Sequence, residues 1–592
     1  MNQGFISIIK RSSMLFSIEV NNKVITAQRG ETILECLKRN GVFVPTLCHI
    51  EGYSPTGACR ICVVEVEGRP DLVPSCSHPV EEWMKIKTHS PRVIRARRAI
   101  AEMLLSNHPD DCLYCGRNGN CELQNLAIDL NLREKRFSGS KNTLKNDYAS
   151  VSIMREPSKC ILCGRCVRLC ETEQVVAAVD FIGRGNQMTI GTSYNHGLSS
   201  RNCHHCGQCI LICPTGALSE QQHIAKVQEA LHNPEKHLVA QFSPALSVGL
   251  NENLGIKAGK TADHIIVAAL SKIGFSKVFD TGLATDLNIL ENASLLAKQI
   301  REGESMPMFT SCCPSWLHYA ETFHPSILPC ISPVLSPQQI MSVLIKKIYA
   351  SEMRLRAEDI YTVGLMPCTA KKYEILRQEM LIDDLNMTDA VLTTRELARF
   401  IKLYGIDVNN IEPMLPHSPF HIRSTAAKLY GVSGGVTEAI LRTVYFLLTG
   451  VELEPYKIGE VRSGSGPKFF TMEAGKYKVK TAVVSGMSQV QKLLKEIEAG
   501  KKNLNFIEVM ACPGGCINGG GQKIGASDKD IKTRSKVLYE MDEKENIRVA
   551  HKNPIVHELY QKYFDAPLSN KAVEFLHRRR LEKKMEGNEQ IL

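Results

Sequence analysis

The sequence lacks the features that mark membrane, secreted and nucleotide-dependent proteins. Its 592 residues contain no apolar run that could cross a bilayer, no signal peptide and no flavin or NAD fingerprint. Aromatic residues make up only 6%, and no nucleic-acid-binding motif accompanies the net charge of +10. These absences predict a cytoplasmic chain with no membrane span, and they argue against nucleic acid as a partner.

Cysteine, by contrast, is abundant and clustered. The 22 cysteines fall mostly in CxxC groups rather than in isolated pairs. Such groups favour thiolate metal ligands in a reducing compartment over disulfides. The length leaves room for about four domains.

The first cysteine group follows two strand patterns, Phe16–Val20 and Lys23–Ala27, and a helical pattern at Thr32–Lys38. Cys36 lies in that helical pattern and is expected to be a small buried hydrophobic residue. The group itself has the spacing C-x10-C-x2-C-x13-C, which is similar to plant-type [2Fe–2S] ferredoxin domains: Cys48, Cys59, Cys62 and Cys76.

The second group combines one imidazole with three thiols: His108, Cys112, Cys115 and Cys121. Zinc accepts this ligand set as readily as an iron–sulfur cluster does, and the spacing alone leaves both open. The motif resembles the His-ligated [4Fe–4S] module of larger [FeFe]-hydrogenases and of the electron-input subunit of respiratory complex I. That resemblance implies a [4Fe–4S] cluster of raised potential, because imidazole replaces one negatively charged thiolate.

Two CxxCxxCxxxC motifs follow a polar segment. In bacterial ferredoxins with this repeat, the fourth cysteine of each motif binds the other cluster. His204 and His205 lie between cysteines of the second motif and are expected to be surface side chains. The predicted ligand sets are Cys160, Cys163, Cys166 and Cys213 for one [4Fe–4S] cluster, and Cys203, Cys206, Cys209 and Cys170 for the other.

From His237 onward, strand and helix patterns alternate, which predicts an α/β domain. His237–Phe242 and Phe506–Met510 have strand patterns, and Ala262–Ile273 and Leu287–Ile300 have helical patterns. Two cysteines in a glycine-rich loop cannot complete a four-cysteine shell, so further ligands must come from distant segments. The segments concerned are Cys512-Pro-Gly-Gly-Cys516, Thr310-Ser-Cys312-Cys313-Pro and Met366-Pro-Cys368.

Together these three segments resemble those of [FeFe]-hydrogenases, and the resemblance covers residues 14 to 577. It implies an α/β catalytic domain of the hydrogenase large-domain type, preceded by α+β ferredoxin-like modules. The modules are a β-grasp [2Fe–2S] domain, the His-ligated [4Fe–4S] module and a ferredoxin domain with two [4Fe–4S] clusters. The expected divisions are an extension at 1–13, the modules at 14–92, 93–132 and 151–225, a linker at 133–150, the catalytic domain at 226–570 and a basic helical tail at 571–592.

The resemblance also implies roles for single residues. The implied active site is a [4Fe–4S] cluster, the cube, joined to a di-iron unit that carries CO, cyanide and azadithiolate. Cys516 bridges the cube to the di-iron unit. Cys312 relays protons with a pKa within reach of neutrality. Lys371 hydrogen-bonds a cyanide, while Lys372 is solvated. The implied ligands of the [4Fe–4S] cube are Cys313, Cys368, Cys512 and Cys516, and the implied pocket-lining residues are Met366, Met510, Pro244 and Ser336.

The proton path of the family is not matched here. Its helix before the TSCCP segment carries two glutamates and an arginine, whereas this chain has Asn292, Leu295 and Gln299, which do not transfer protons readily. Ser332 matches the serine of that path. Glu291 is one residue out of register, about 100° around a helix. Either protons enter elsewhere, or Glu291 is the relay glutamate.

The implied function is the reversible reduction of protons to H2. One [2Fe–2S] and three accessory [4Fe–4S] clusters would connect the site to ferredoxin or a similar acidic carrier, and maturation proteins would assemble the di-iron unit. A hydrogen-evolving subunit of an NADH-linked complex, and a non-catalytic sensor or assembly protein, stay open as alternatives.

Two basic runs stand out in the sequence. Lys85–Arg98 carries six Lys and Arg residues and no acidic one, and it is either a carrier-docking surface or a solvated helix face. Arg578–Lys584 is expected to be a solvated helix face.

Overall fold

The computed structural model describes residues 15–579 apart from 135, 138–140, 142–143, 200–201, 258, 305, 455–460 and 463–465. The predicted extension at 1–13 and most of the second basic run lie outside the described residues. In the described part of the chain, no helix is both long and apolar enough to cross a membrane.

The first domain is a mixed sheet with a covering helix, built from β1 (Leu15–Val20), β2 (Lys23–Gln28), α1 (Ile33–Arg39), β3 (Val63–Val66), β4 (Val73–Pro74) and β5 (Lys85–Lys87). The strand order is β2-β1-β5-β3-β4, with β1 antiparallel to β2 and parallel to β5. Thr32 starts α1 through a capping box with Glu35. Cys36 is buried in this domain, as predicted.

The next two modules are small and joined closely. Their elements are α2 (Pro91–Asn107), α3 (Glu122–Asp129), β6 (Ile153–Arg155), α4 (Arg165–Thr172), β7 (Asp180–Ile182), β8 (Thr189–Gly191), α5 (Gln208–Ile212) and β9 (Leu218–Glu220). α4 and α5 each start after a glycine in the left-handed region, Gly164 and Gly207, inside the two cysteine motifs. The sequence repeat is therefore also a structural repeat.

The catalytic domain contains two four-stranded sheets. The strands are β10 (His237–Phe242), β11 (Lys277–Asp280), β12 (Met308–Phe309), β13 (Ile360–Met366), β16 (Ala390–Thr393), β17 (Lys468–Ala474), β18 (Tyr477–Ser485) and β19 (Phe506–Met510), with a separate hairpin of β14 (Leu381–Ile382) and β15 (Leu385–Asn386). The first sheet, β11-β10-β13-β16, is parallel throughout. The second, β12-β19-β18-β17, is parallel except for β17.

Helices cover both sheets, which gives the predicted α/β architecture. α9 is a long, mostly buried helix that packs between α11 and α15. The helices are α6 (Ile224–His232), α7 (Pro244–Leu254), α8 (Asp263–Ile273), α9 (Gly282–Glu302), α10 (Pro314–Phe323), α11 (Pro337–Val343), α12 (Ala350–Glu352), α13 (Lys371–Glu374), α14 (Thr394–Leu403), α15 (Gly435–Thr449), α16 (Met487–Glu498), α17 (Asp528–Lys544), α18 (Pro554–Leu559) and α19 (Asn570–Leu576).

The last described helix belongs to the catalytic core rather than to a separate tail. Ala572 and Leu576 of α19 are fully buried, and Leu335 N donates to Leu576 O at 2.8 Å. Beyond the helix, Arg578 donates to Ser332 O at 2.7 Å, so this residue is not on a solvated helix face. Residues 571–579 therefore differ from the tail expected of them.

Glu291 holds this C-terminal segment against α9. The carboxylate is fully buried and accepts from Tyr560 Oη at 2.5 Å, from His577 Nε2 at 2.8 Å and from Leu568 N at 3.3 Å. All three partners lie in the C-terminal segment. Glu291 thus acts as a structural anchor in this fold.

Glu291→Ala should lower the thermal unfolding midpoint of the protein by several degrees. Each buried donor left without an acceptor costs about 1–3 kcal/mol. Glu302→Ala, near the exposed end of the same helix, is the matched control and should leave the midpoint nearly unchanged. Equal midpoints for the two variants in calorimetry would contradict the anchoring role.

Candidate metal centre

An internal cavity of about 100 Å³ lies between the carboxyl ends of strands from both sheets. A cavity needs only about 10–15 Å³ to hold one water molecule, so this space admits a group of many atoms. Pro244 follows β10, Thr310 follows β12, Cys368 follows β13 and Cys512 follows β19, and all four line the cavity. Parallel strands present their carboxyl ends at one edge, which brings segments far apart in sequence together.

Five thiols share this cavity: those of Cys312, Cys313, Cys368, Cys512 and Cys516. Burial raises the pKa of each. The charges of neighbouring thiolates raise it further in all of them except Cys313. Thiolates gathered in a buried space need compensating positive charge. The donor set therefore fits an iron–sulfur cluster, because thiolates bind such clusters and metal binding deprotonates them.

The glycine-rich loop can approach the cavity only because it carries no side chains. A Cβ on Gly519 would lie 2.2 Å from Pro367 O, and a Cβ on Gly515 would lie 2.7 Å from Ser433 N. Gly515 also has a φ of +104°, in the region that favours glycine. The loop thus holds Cys512 and Cys516 against the segment that carries Cys368.

The structure brings most of the predicted pocket residues to this cavity. Met366, Met510 and Pro244 line it, whereas Ser336 and Ser332 do not. Sequence reasoning missed further lining residues with polar groups: Thr281, Thr285, Thr310, Gln338, Tyr430 and Glu508.

Lys371 lines the cavity and has an anionic partner within the protein. Its ammonium donates to both carboxylate oxygens of Glu374 at 2.8 Å and to Ser336 Oγ at 2.9 Å. The predicted solvation of Lys372 is wrong. Its side chain is fully buried, donates to Val391 O at 2.7 Å and pairs with Glu396 at 2.9 Å, because α13 turns it inward.

Cys312 does not have the near-neutral pKa expected from its implied role. Burial raises the pKa of this thiol to about 12, and Cys313 and Glu508 raise it while Lys371 lowers it. The thiol is therefore protonated at neutral pH. It can hold a proton beside the cavity.

The hydrogen bonds around Ser332 favour the ungapped register of the divergent helix. Ser332 Oγ donates to Asn292 Oδ1 at 2.6 Å, so Asn292 occupies the position next to the serine. Glu291 points to the C-terminal segment instead, and it does not line the cavity. Leu295 and Gln299, one and two turns further along α9, are half-buried. The alternative that Glu291 is an ordinary relay glutamate is therefore not supported by the geometry.

In the ferredoxin domain, the fourth cysteine of each motif lies near the first three cysteines of the other motif. Burial is the main reason that the pKa of Cys160 is raised to about 11 and that of Cys163 to about 12. The charge of Cys213 raises both values further, and it also raises the pKa of Cys166. Cys170 acts in the same way on Cys203, Cys206 and Cys209. This proximity is the pattern expected for two crossed [4Fe–4S] sites.

The structure also brings together cysteines of the first two groups, more closely in the first group than in the second. Cys48 hydrogen-bonds Cys59 and Cys76, and Cys62 hydrogen-bonds Cys76. In the His108 module, Cys115 contributes to the raised pKa of Cys121, His108 is buried, and Cys112 is exposed. No three or more His, Cys, Asp or Glu side chains among the described residues are arranged to hold a single ion.

His204 and His205 are buried, contrary to the expectation that they lie on the surface. Burial lowers the pKa of His204 to about 3 and that of His205 to about 4. The His205 ring stacks on Tyr373 with centroids 4.6 Å apart, and its carbonyl accepts from Thr369 Oγ1 at 2.7 Å. The catalytic domain covers this face of the ferredoxin domain, which the cysteine motif alone does not indicate.

Comparison with known proteins gives a consistent result along the whole chain. The family described as iron only hydrogenase large subunit, C-terminal domain, matches residues 236–520, and the iron hydrogenase small subunit family matches 528–579. The NADP-reducing hydrogenase subunit HndD of Solidesulfovibrio fructosivorans is 39% identical over 575 residues, which are 95% of this chain and 98% of that protein. The chain belongs to the iron-only hydrogenase family.

Other matches extend this assignment to the remaining modules and to a solved structure. Iron hydrogenase 1 of Clostridium pasteurianum is 36% identical, over 95% of this hydrogenase and 99% of that protein. An apo [FeFe]-hydrogenase of Chlamydomonas reinhardtii is 33% identical with a TM-score of 0.53, covering 60% of this chain and 98% of that one.

The N-terminal modules match families of iron–sulfur proteins. These are a 2Fe-2S iron-sulfur cluster binding domain at 13–91, the NADH-ubiquinone oxidoreductase-G iron-sulfur binding region at 97–136 and the NADH-quinone oxidoreductase subunit 3 ferredoxin-like domain at 150–219. The predicted fold class is thus confirmed.

The ferredoxin domain of this hydrogenase reaches the catalytic loop through two glycines. A Cβ on Gly520 would lie 2.2 Å from Cys206 O and 2.7 Å from Gly207 Cα. Gln208 Nε2 donates to Asn518 O at 2.9 Å and ties the same segments together. Cys206 is close enough to Cys512 to contribute to its raised pKa.

Gly520→Ala should slow electron exchange between the ferredoxin domain and the catalytic centre, because the methyl group must push the two backbones apart and electron transfer falls steeply with distance. Freeze-quench EPR after rapid reduction should show accessory centres reduced well before the catalytic centre. Wild-type kinetics in this variant would show that the close approach does not set the rate.

Proposed function

We propose that this hydrogenase interconverts protons, electrons and H2 at an H-cluster, a [4Fe–4S] cube joined to a di-iron unit with CO, cyanide and azadithiolate. One observation carries the proposal: four cysteines from three distant segments surround one cavity, and a fifth, Cys312, lines it beside them. The proposed cube ligands are Cys313, Cys368, Cys512 and Cys516, with Cys516 as the bridge. Four buried thiols complete the shell that the cube requires.

The surrounding residues bind and enclose the cofactor. The di-iron unit, when bound, supplies the site at which protons and electrons combine. Lys371 would donate one N–H to a cyanide while Glu374 balances its charge and Ser336 orients it. Met366, Met510 and Pro244 exclude water from the cavity, which strengthens these charge interactions.

Cys312 would hold a proton at Sγ and exchange it with the cavity. Its raised pKa keeps the thiol protonated at neutral pH, so the proton is present before turnover begins. General acid–base groups of this kind contribute about 10²–10⁴-fold to a rate. Ser332, predicted to feed this thiol, donates its only hydroxyl proton to Asn292.

Electrons would reach the cavity through four accessory clusters. The proposed ligands are the four cysteines of the [2Fe–2S] domain, His108 with its three cysteines, and the two crossed sets of the ferredoxin domain. The modules contact one another directly: Arg168 of α4 donates to Ser54 O at 2.6 Å and to the Cys48 carbonyl. Arg117 donates to Cys213 O at 3.2 Å, which joins the His108 module to the same domain.

The proposed electron partner is ferredoxin or a similar acidic carrier in the cytoplasm. Lys85, Lys87, Arg92 and Arg95 of the basic run are exposed, whereas Arg97 is buried and donates to Val63 O at 2.8 Å. The name of the HndD relative favours a second candidate, a subunit of a complex linked to NAD(P). Co-purification of a flavoprotein from the native source would select this second candidate. Insertion of the di-iron unit would require dedicated maturation proteins.

Cys516→Ala should abolish H2 turnover and di-iron retention while the accessory clusters remain reducible by EPR. Cys330→Ala is the matched control, because Cys330 is also half-buried but does not line the cavity. Retained H2 production in the Cys516 variant would refute the proposed bridge.

Cys312→Ala should keep the bound cofactor yet slow turnover by about 10²–10⁴-fold, since a proton donor acts on the rate more than on binding. The measurement is H2 evolution per assembled site, with CO and cyanide infrared bands used to count sites. Turnover equal to the wild type would show that protons bypass this thiol.

A further inference from the structure

The predicted proton path ends in amide groups. Asn288 Oδ1 receives a hydrogen bond from Asn292 Nδ2 at 3.1 Å and another from Tyr430 Oη at 2.8 Å. Both neighbours therefore donate to the same oxygen. A side-chain amide does not ionise at neutral pH, so it does not pass a proton on. The hydrogen bonds also do not form a continuous donor-to-acceptor chain, because two of them end on the same oxygen. Protons for this cavity must come from another side.

A buried carboxyl group lies in the cavity wall itself. Glu508 is fully buried on β19, and among the described residues that line the cavity it is the only Asp or Glu. It lies close enough to Cys312 to affect the pKa of that thiol. It is the only acidic residue in the strand Phe506–Met510, whose other residues are apolar and buried.

The hydrogen bonds of Glu508 hold the carboxyl group in a fixed orientation. Gly434 N donates to Oε1 at 2.7 Å, and Thr437 donates to Oε2 through N at 2.7 Å and through Oγ1 at 2.9 Å. Burial raises the pKa of Glu508, while these bonds and Lys468 lower it. Glu508 therefore presents a carboxyl group of fixed orientation at the cavity wall.

Lys468, which interacts electrostatically with Glu508, lines a wide surface cleft. The cleft has a volume of about 800 Å³ and is lined by Lys468, Ser433, Tyr539 and Glu543 among others. Lys468 Nζ donates to Val461 O at 2.8 Å and interacts electrostatically with Glu508. Gly434 lies between them: its N–H binds Glu508, and a Cβ on it would lie 3.6 Å from Lys468 Nζ.

A purely structural role would make Glu508 a cap for the first turn of α15. Capping accounts for the bonds to Gly434 and Thr437, since buried acceptors often satisfy the free amides of a helix start. It does not account for a carboxyl group that lines the cavity and also interacts with Lys468 of the surface cleft. Glutamine in place of glutamate keeps an acceptor for the cap but removes the transferable proton, so the two roles can be separated.

We propose that Glu508 transfers protons between the cleft beside Lys468 and the catalytic cavity, in place of the helix α9 route. For H2 formation, the carboxylate takes a proton from water in the cleft. The O–H bond of the resulting acid then breaks, and the proton passes to the Cys312 thiolate that is left once this thiol has given its own proton to the cavity. H2 oxidation runs these steps in reverse. This assignment rests on the function proposed above.

The first test compares Glu508→Gln with Glu291→Gln in anaerobically matured protein. Glu508→Gln should retain the CO and cyanide bands but lose about 10²–10⁴-fold of H2 turnover. Glu291→Gln, a buried glutamate of equal size outside the cavity, should turn over at nearly the wild-type rate. Normal turnover in Glu508→Gln, or an equal loss in Glu291→Gln, would overturn the proposal.

The second test does not depend on the catalytic cofactor. In protein produced without maturation proteins, infrared difference spectra should show a protonated carboxyl band that exchanges rapidly in D2O and disappears in Glu508→Gln. Lys468→Met should change the pH at which that band forms. A band that is absent, or that exchanges only on global unfolding, would remove the link between Glu508 and solvent.

The two tests also separate this proposal from the broader one. Wild-type protein with no CO or cyanide bands after maturation would contradict the proposed cofactor, whatever Glu508 does. Bands in the wild type with unaltered turnover in Glu508→Gln would contradict the relay alone. If Glu508→Gln does not fold, the second test still decides the case in the wild type and in Lys468→Met: a carboxyl band that exchanges only on global unfolding would contradict the relay.

Discussion

The structure depends on bringing several thiolates together in a space from which water is excluded. Like charges at short distance in a low dielectric are strongly unfavourable unless a metal centre compensates them. Burial and neighbouring thiolate charges raise the pKa of Cys368, Cys512 and Cys516, which shows that the thiolate forms are unfavourable without a metal centre. The catalytic domain is built to hold the thiols at these positions.

Two sheets of mostly parallel strands and one glycine-rich loop hold the thiols in these positions. The strand ends fix the segments that carry Cys368 and Cys512, and the missing Cβ atoms of Gly519 and Gly520 let backbones meet. The C-terminal segment closes the domain from behind through Glu291. Glu291 thus serves packing, whereas Glu508 lies at the cavity.

Much of this arrangement could be predicted from the sequence. Cysteine spacing identifies ligand groups because clusters impose fixed distances, and the α/β alternation follows from hydrophobic periodicity. Burial at domain contacts could not be predicted. His204, His205 and Lys372 look polar and therefore solvated, yet each lies where another segment covers it. The sequence shows Glu508 as an acidic residue in an apolar strand. Its significance depends on the catalytic cavity and on the surface cleft beside Lys468, and only the fold creates these.

Infrared spectroscopy of anaerobically matured protein tests the central claim most directly. The account predicts sharp bands from CO and cyanide bound to iron, lost on Cys516→Ala and absent from protein made without maturation factors. Matured protein that contains its full complement of iron but shows no such bands would contradict a di-iron unit in this cavity.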